Sequence, residues 1–196
     1  MFDNKKAVDT ILSALGEQYA SLKGAELDIL VCGGSALQAL GLIERPTKDV
    51  DVLAILNLEN EPILAEPLPK LLLQAVGKVA RDFQLVENWL NPGPTSAITL
   101  GLPKGLLERA EKRHYGLKLT VRFLSRFDQI HFKLYAAADH SAASKHYQDL
   151  LKLKPTEQEI ETAARWAMTQ DPSEGFKQML KLLIKALGYE NVIQRI

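Results

Sequence analysis

The sequence predicts an α/β (α+β) fold, a small mixed sheet with flanking helices that leads into a helical C-terminal region. Three observations carry this expectation. Strand-like runs, at Leu27–Cys32, Asp49–Leu56 and Leu117–Phe123, fall only before residue 125. Helical spacing surrounds and interrupts them, at Val8, Ile11, Leu12, Leu15, Tyr19 and Leu22 and again over Leu68–Phe83. After residue 125 every periodic segment is helical. The expected organisation is a sheet domain over 1–124 with a helical region over 125–196 packed on it, and a chain of 196 residues has room for one core and such an annex.

Each element has its own signal. The opening helix ends near Gly24, a residue that tolerates the left-handed conformation common after helices. Leu27–Cys32 lacks polar alternation, which suits a central strand covered on both faces, and it stops at Gly33-Gly34. Ser35 is placed to cap a short helix running to Leu42. A second strand, Asp49–Leu56, follows. Six of the nine prolines then punctuate the chain between residues 62 and 103, bounding the Leu68–Phe83 helix and a loop from Asn91 to Pro103 that is a candidate lid or substrate-facing element. Leu117, Leu119, Val121 and Phe123 alternate with Lys118, Thr120 and Arg122, the period of a half-buried strand. Helices are expected at Arg126–Asp139, Ala143–Leu153, Glu157–Thr169 and Glu174–Leu187.

Composition narrows the classes of function. At 46% hydrophobic and 24% charged residues the chain can form a real core. A formal net charge of +0 leaves no global field to pull it onto nucleic acid or an anionic membrane. The one cysteine, Cys32, has no partner for an internal disulfide and reads as a small buried hydrophobe. No apolar run approaches the ~20 residues that span a bilayer, and residues 1–6 do not read as a secretory leader, so the expected location is the cytoplasm. Charge is nonetheless uneven. Residues 44–66 hold six carboxylates and two basic side chains, a net of −4, whereas residues 104–133 hold eight basic and three acidic ones, a net of +5. Such neighbours suit a polyanion such as a triphosphate or an RNA backbone; a solvated helix surface is the competing reading.

The chemistry concentrates between residues 29 and 56. Asp49 and Asp51 are one residue apart on an expected strand, so both carboxylates point to one face. Hard oxygen donors of this kind suit Mg²⁺, which is commonly held by one or two carboxylates together with substrate phosphates. Upstream, Gly33, Gly34 and Ser35 mark a strand passing into a helix, where backbone N–H groups attract phosphate. Carboxylates leading a buried strand are costly unless a cation compensates them.

The stretch from Ile29 to Leu56 resembles the core signature of the polymerase-beta-like nucleotidyltransferase superfamily, in which a Gly-Gly or Gly-Ser turn precedes an Asp-x-Asp or Asp-x-Glu pair. Within it, Gly33-Gly34-Ser35-Ala36-Leu37 through Arg45-x-Thr47-x-Asp49-x-Asp51 is similar to bacterial abortive-infection toxin-type nucleotidyltransferases and their uncharacterised relatives. Lys133-Leu134-Tyr135-Ala136 and Asp149 stand where those proteins carry a Lys-Leu-x-Ala element and a later acidic residue. The resemblance implies a small mixed sheet of the nucleotidyltransferase type, with Gly33, Gly34 and Ser35 on the nucleotide phosphates and Asp49 and Asp51 on Mg²⁺ or Mn²⁺. It places Arg45 and Thr47 in the same nucleotide-binding signature, and Lys133 on the triphosphate. A solvated lysine on a helix is the other reading of Lys133.

The sequence departs from that superfamily in one respect. Its polymerases usually carry a third carboxylate on a later strand, and on Leu117–Phe123 the polar positions are Lys118, Thr120 and Arg122. Two functional classes follow. One is a Mg²⁺-dependent enzyme that transfers a nucleoside monophosphate from an NTP to an RNA, protein or small-molecule hydroxyl. The other is a catalytically degenerate nucleotide-binding or partner-binding module. In a toxin–antitoxin setting the partner of either would be an antitoxin or a second copy of the chain. His114, His131, His140 and His146 lack the spacing of a helical zinc pair, and no zinc is expected.

Overall fold

The computed structural model describes residues 1–138 and 144–196; the expected helix ends at Asp139 and Ala143, and His140, lie outside them. The chain is mixed α/β. It divides into two compact units, Met1–Thr99 with Leu107–Leu124 and Leu100–Leu106 with Ser125–Ile196. Among the described residues no helix is long and apolar enough to cross a membrane.

The first unit is built on a six-stranded mixed sheet. Strands β3 (Pro62–Ile63), β2 (Val50–Leu56), β1 (Leu27–Cys32), β6 (Leu119–Phe123) and β5 (Glu111–Tyr115) lie side by side in that order, and β4 (Leu90–Asn91) also pairs with β2. As its unbroken apolar run predicts, β1 is central, antiparallel to β2 and parallel to β6. The strand expected from Leu117 starts at Leu119, because Gly116, at a φ of 73°, turns the hairpin and leaves Leu117 90% exposed. Asp49 likewise stands just before β2 rather than in it.

Helix α1 (Lys5–Ser21) is capped by Asn4, whose side-chain oxygen accepts from the Ala7 N–H at 3.0 Å. Its stripe Val8, Ile11, Leu12, Leu15 and Tyr19 shares one apolar core with Ile29, Val31, Val52, Val121 and Phe123 of the sheet. Leu72, Ala75, Val76 and Val79 of α3 (Lys70–Asp82) complete that core. The edge strand β5 has no sequence signature, since Glu-Lys-Arg-His-Tyr carries charge on both faces; such charge discourages edge-to-edge pairing. Arg113 holds this edge to the body of the unit, donating to Asp9 at 3.0 Å and to the Ala39 carbonyl at 2.8 Å.

The second unit is helical. Helices α5 (Arg126–Ala138), α6 (Lys145–Leu153), α7 (Glu157–Gln170) and α8 (Glu174–Ala186) bury Ile130, Leu134, Leu150, Ile160, Ala164, Leu180 and Ile184. Ser144, Thr156 and Ser173 cap the last three, and Thr156 forms a reciprocal capping box with Glu159. Arg126 ties α5 to the α6–α7 turn through the Leu153 carbonyl at 2.6 Å and Glu159 at 2.6 Å. Burial alone would raise the Glu159 carboxyl, but hydrogen bonds from Arg126 and the Thr156 N–H outweigh it and hold the group below its usual range.

Candidate phosphate and cation site

The turn after β1 brings together the residues that the sequence singles out between 33 and 51. Helix α2 (Gly33–Ala39) begins at Gly33 itself, with Cys32 at the N-cap position and no side-chain cap. Ser35 is therefore not the cap; it lies in the first turn, fully buried, and its Oγ has no hydrogen-bond partner. Gly33 adopts a φ of +78°, a region that L side chains rarely enter. A Cβ on Gly33 would stand 2.3 Å from Asp51 Oδ2. On Gly34 it would stand 2.9 Å from Thr47 Oγ1 and 3.2 Å from Arg45 Nη2. The two glycines thus bring backbone against the two halves of the site, Gly33 against Asp51 and Gly34 against Thr47 and Arg45.

The carboxylates are held by short polar side chains. Thr47 Oγ1 donates to Asp49 Oδ1 at 3.2 Å. Asn91 Nδ2 lies 3.4 Å from Asp51 Oδ1, and Asn91 Oδ1 accepts from the Gly93 N–H at 3.0 Å. Asp49 and Asp51 are half-buried, open enough for a ligand and close enough to the core to be oriented. Two hard carboxylates beside a glycine cradle that a Cβ would fill match the donor set for a magnesium ion shared with phosphates, with the buried Ser35 hydroxyl at the same turn. Among the described residues no group of three or more His, Cys, Asp or Glu side chains is arranged to hold a metal.

The loop bearing Arg45 to Asp49 has supports that periodicity does not reveal. Phe2 and Thr47 exchange backbone hydrogen bonds at 2.8 and 3.0 Å. The buried Gln38 amide donates to the Phe2 carbonyl at 3.1 Å and to the Arg45 carbonyl at 2.8 Å. Asn91 is the site residue that sequence reasoning missed. The sequence makes it the first residue of a loop, whereas in the fold it pairs in parallel register with Asp51. Strand β6, whose polar positions hold no third carboxylate, adjoins β1 on the side away from β2; its Arg122 is committed to Asp28 at 2.8 Å. The neighbour of Asp51 is β4, and there the side chain is an amide.

Lys133 belongs to the helical unit. The structure brings it to Asp149, Nζ to Oδ2 at 2.8 Å, with the two side chains 4% and 0% exposed. The reading of Lys133 as solvated is therefore corrected: α5 wraps inward at this point and its ammonium is answered by a carboxylate from α6. The basic excess of residues 104–133 has a similar explanation. Lys118, Arg113, Arg122, Arg126 and Lys133 each face an acidic partner, Glu26, Asp9, Asp28, Glu159 and Asp149 respectively, so these positive charges are answered within the fold. Cys32 is buried, as its place in an apolar strand suggests. No protein-family model matches the chain, and no curated protein or solved structure matches it significantly.

The close approach at Gly33 gives a direct test of the geometry. Gly33→Ala forces a side chain into a positive-φ conformation, at roughly 1–2 kcal/mol, and drives a methyl onto Asp51. Divalent-cation affinity is expected to fall by about tenfold or more, about 1.4 kcal/mol per decade, because the carboxylate has to move by more than an ångström. Thermal unfolding and Mn²⁺ titration of the same sample check it; a lowered melting temperature with undiminished cation binding would show that the glycine serves the turn alone.

Proposed function

We propose that the chain is a Mg²⁺-dependent nucleotidyltransferase that moves a nucleoside monophosphate from an NTP such as ATP to a hydroxyl of an RNA, protein or small-molecule acceptor. The observation that supports this best is the convergence of Gly33 on Asp51 and of Gly34 on the Thr47–Asp49 pair. The resemblance of the same segment to polymerase-beta-like nucleotidyltransferases points the same way.

In this reading Gly33, Gly34 and Ser35 take the nucleotide phosphates, where bare backbone permits close approach and the Ser35 hydroxyl has hydrogen-bonding capacity to spare. Arg45 borders the turn and complements phosphate charge. Asp49 and Asp51 hold Mg²⁺ or Mn²⁺, which when bound neutralises charge on the phosphates. Thr47 keeps Asp49 oriented. The contribution of the protein is mainly positioning and electrostatics. The setting is cytoplasmic, and an antitoxin or a second copy of the chain is the regulatory partner of a toxin–antitoxin pair.

A second reading, a nucleotide-binding module without transfer activity, is favoured by one specific observation: β4 sets Asn91, not a carboxylate, beside Asp51. The experiment separates the two. Titration calorimetry with Mg²⁺ and a non-hydrolysable NTP is expected to show binding that Asp49→Asn with Asp51→Asn abolishes, without unfolding, since the double substitution removes two like charges. Incubation with each alpha-labelled NTP and pooled tRNA, protein or small-molecule acceptors, against Asp51→Asn, then reports transfer. Label lost in that control marks the enzyme, binding without transfer marks the module, and absence of nucleotide binding rejects both.

A further inference from the structure

We infer that the outer face of α8, in the helical unit, docks an acidic amphipathic helix of a partner protein. The inference does not depend on the nucleotide reading and survives its failure.

Helix α8 carries more apolar surface than its own unit covers. At about 100° per residue, Phe176, Leu180, Leu183 and Ile184 cluster on one side of the helix, and all four are buried. Gly175, Met179, Leu182 and Ala186 fall on the adjoining side and are all exposed, Met179 by 48% and Leu182 by 62%. A Cβ placed on Gly175 would have nothing within 4 Å, so the stripe is open where it starts. Where it ends, the Tyr147 hydroxyl of α6 donates to the Ala186 carbonyl at 3.1 Å. The steps along the stripe, four residues, then three, then four, are those of a seam on which a second helix packs.

Charge sets the sign of the occupant. After Glu174 in the first turn, every charged residue of α8 is a lysine, at positions 177, 181 and 185. They run down the side of the helix beyond the stripe, away from the core, and like charges one turn apart repel. Among the described residues none of the three ammonium groups has an ion-pair partner. Arg126, Lys133, Arg165 and Arg195 of the same unit each meet a carboxylate. Lys185, in the last turn, complements the helix dipole; Lys181 and Lys177 lie too far back to do so. Carboxylates beside the apolar stripe of a partner helix answer them.

Other occupants fit less well. A second copy docked through the same face brings three more lysines to it. A bilayer is met by a broad apolar face, whereas most of the apolar arc of α8 is already buried and two large side chains remain. Single-stranded RNA binds by stacking on aromatic rings, and the stripe has none.

The test is a display selection on the full chain. The library holds three-heptad peptides with leucine at both seam positions and the flanking positions drawn from Glu, Gln and Lys. The native chain is expected to enrich Glu. The enriched peptide, followed by fluorescence anisotropy, is expected to lose about tenfold or more in affinity for the chain carrying Met179→Gln with Leu182→Gln. Both positions are on the surface, and circular dichroism checks that the variant is folded. Lys181→Glu with Lys185→Glu is expected to turn the selection toward Lys. No enrichment over the Met179→Gln, Leu182→Gln chain, or the same peptides taken by the native and charge-reversed chains, would overturn the inference. It would also be overturned if the native chain bound no peptide but dimerised, or bound phosphatidylglycerol vesicles or a single-stranded RNA, in a manner that Met179→Gln with Leu182→Gln abolished. Those outcomes give the face to a second copy, a lipid surface or a nucleic acid.

Discussion

Lys133→Met is expected to destabilise the helical unit by about 3–5 kcal/mol, the usual cost of removing one partner from a buried ion pair. The lysine ammonium and the Asp149 carboxylate are 2.8 Å apart and all but fully shielded from water. Methionine fills most of the lysine volume, so the loss is electrostatic: a fully buried carboxylate loses the ammonium that stands 2.8 Å from it. The complementary change decides whether this is the whole role. Lys133→Met combined with Asp149→Leu removes both charges, and pairs of that kind are often replaced by apolar residues without net loss. Recovery of most of the melting temperature in the double variant, with Mg²⁺–NTP binding retained, would make Lys133 a cross-link between α5 and α6. A well-folded double variant that had lost nucleotide binding would instead return Lys133 to the phosphate role that the sequence resemblance implies. Chemical denaturation followed by circular dichroism, and calorimetry on the same variants, supply both readouts.

The same residue shows where sequence reasoning stops. Lys133 and Asp149 are 16 positions apart on separate helices, and nothing in their spacing says that each would be carried into the interior. What is local was legible. The unbroken apolar run of Leu27–Cys32 forecasts a central strand because only a strand covered on both faces needs no polar alternation. The turn at Gly33-Gly34 and the aspartates beyond it fall together because the β1–α2–β2 connection is short and each glycine is needed for a backbone contact. Ser35 misled because serine is a good cap in general, whereas a glycine with positive φ starts this helix one turn earlier. The strands β4 and β5 were illegible for different reasons. Two residues are too few to show a period, and a charged edge strand has no apolar face to show one with. Since Asn91 is one of those two residues, the part of the site that β4 contributes could be read only from the register of the folded sheet.

That register depends on Trp89, and Trp89→Ala is expected to cost about 3–5 kcal/mol and to weaken the cation site beyond what its stability loss explains. Trp89 is fully buried, its ring centroid 5.9 Å from that of Phe2. Its indole N–H donates to the Val76 carbonyl of α3 at 3.2 Å, and its own carbonyl accepts from the Val50 N–H at 2.5 Å. The side chain therefore anchors the entry to β4 on the core, while its backbone fixes the start of β2 one residue ahead of Asp51. Through Phe2, which exchanges hydrogen bonds with Thr47, the same cluster supports the loop that carries Asp49. Truncation leaves a cavity beside Phe2 at the entry to β4, and a two-residue strand has little else to hold its register. Trp89→Phe keeps most of the ring volume and gives up one hydrogen bond, so about 1 kcal/mol is expected for the lost N–H, besides a smaller volume term. The control is a core lesion of comparable cost that does not touch β4, such as Leu12→Ala in α1. Urea unfolding ranks the three variants by stability, and Mn²⁺ titration at a temperature where all remain folded ranks them by affinity. If affinity falls further in Trp89→Ala than in Leu12→Ala at matched stability, the β4 anchor serves the site; if the two fall together, cation binding follows global stability and Trp89 is a core residue like any other.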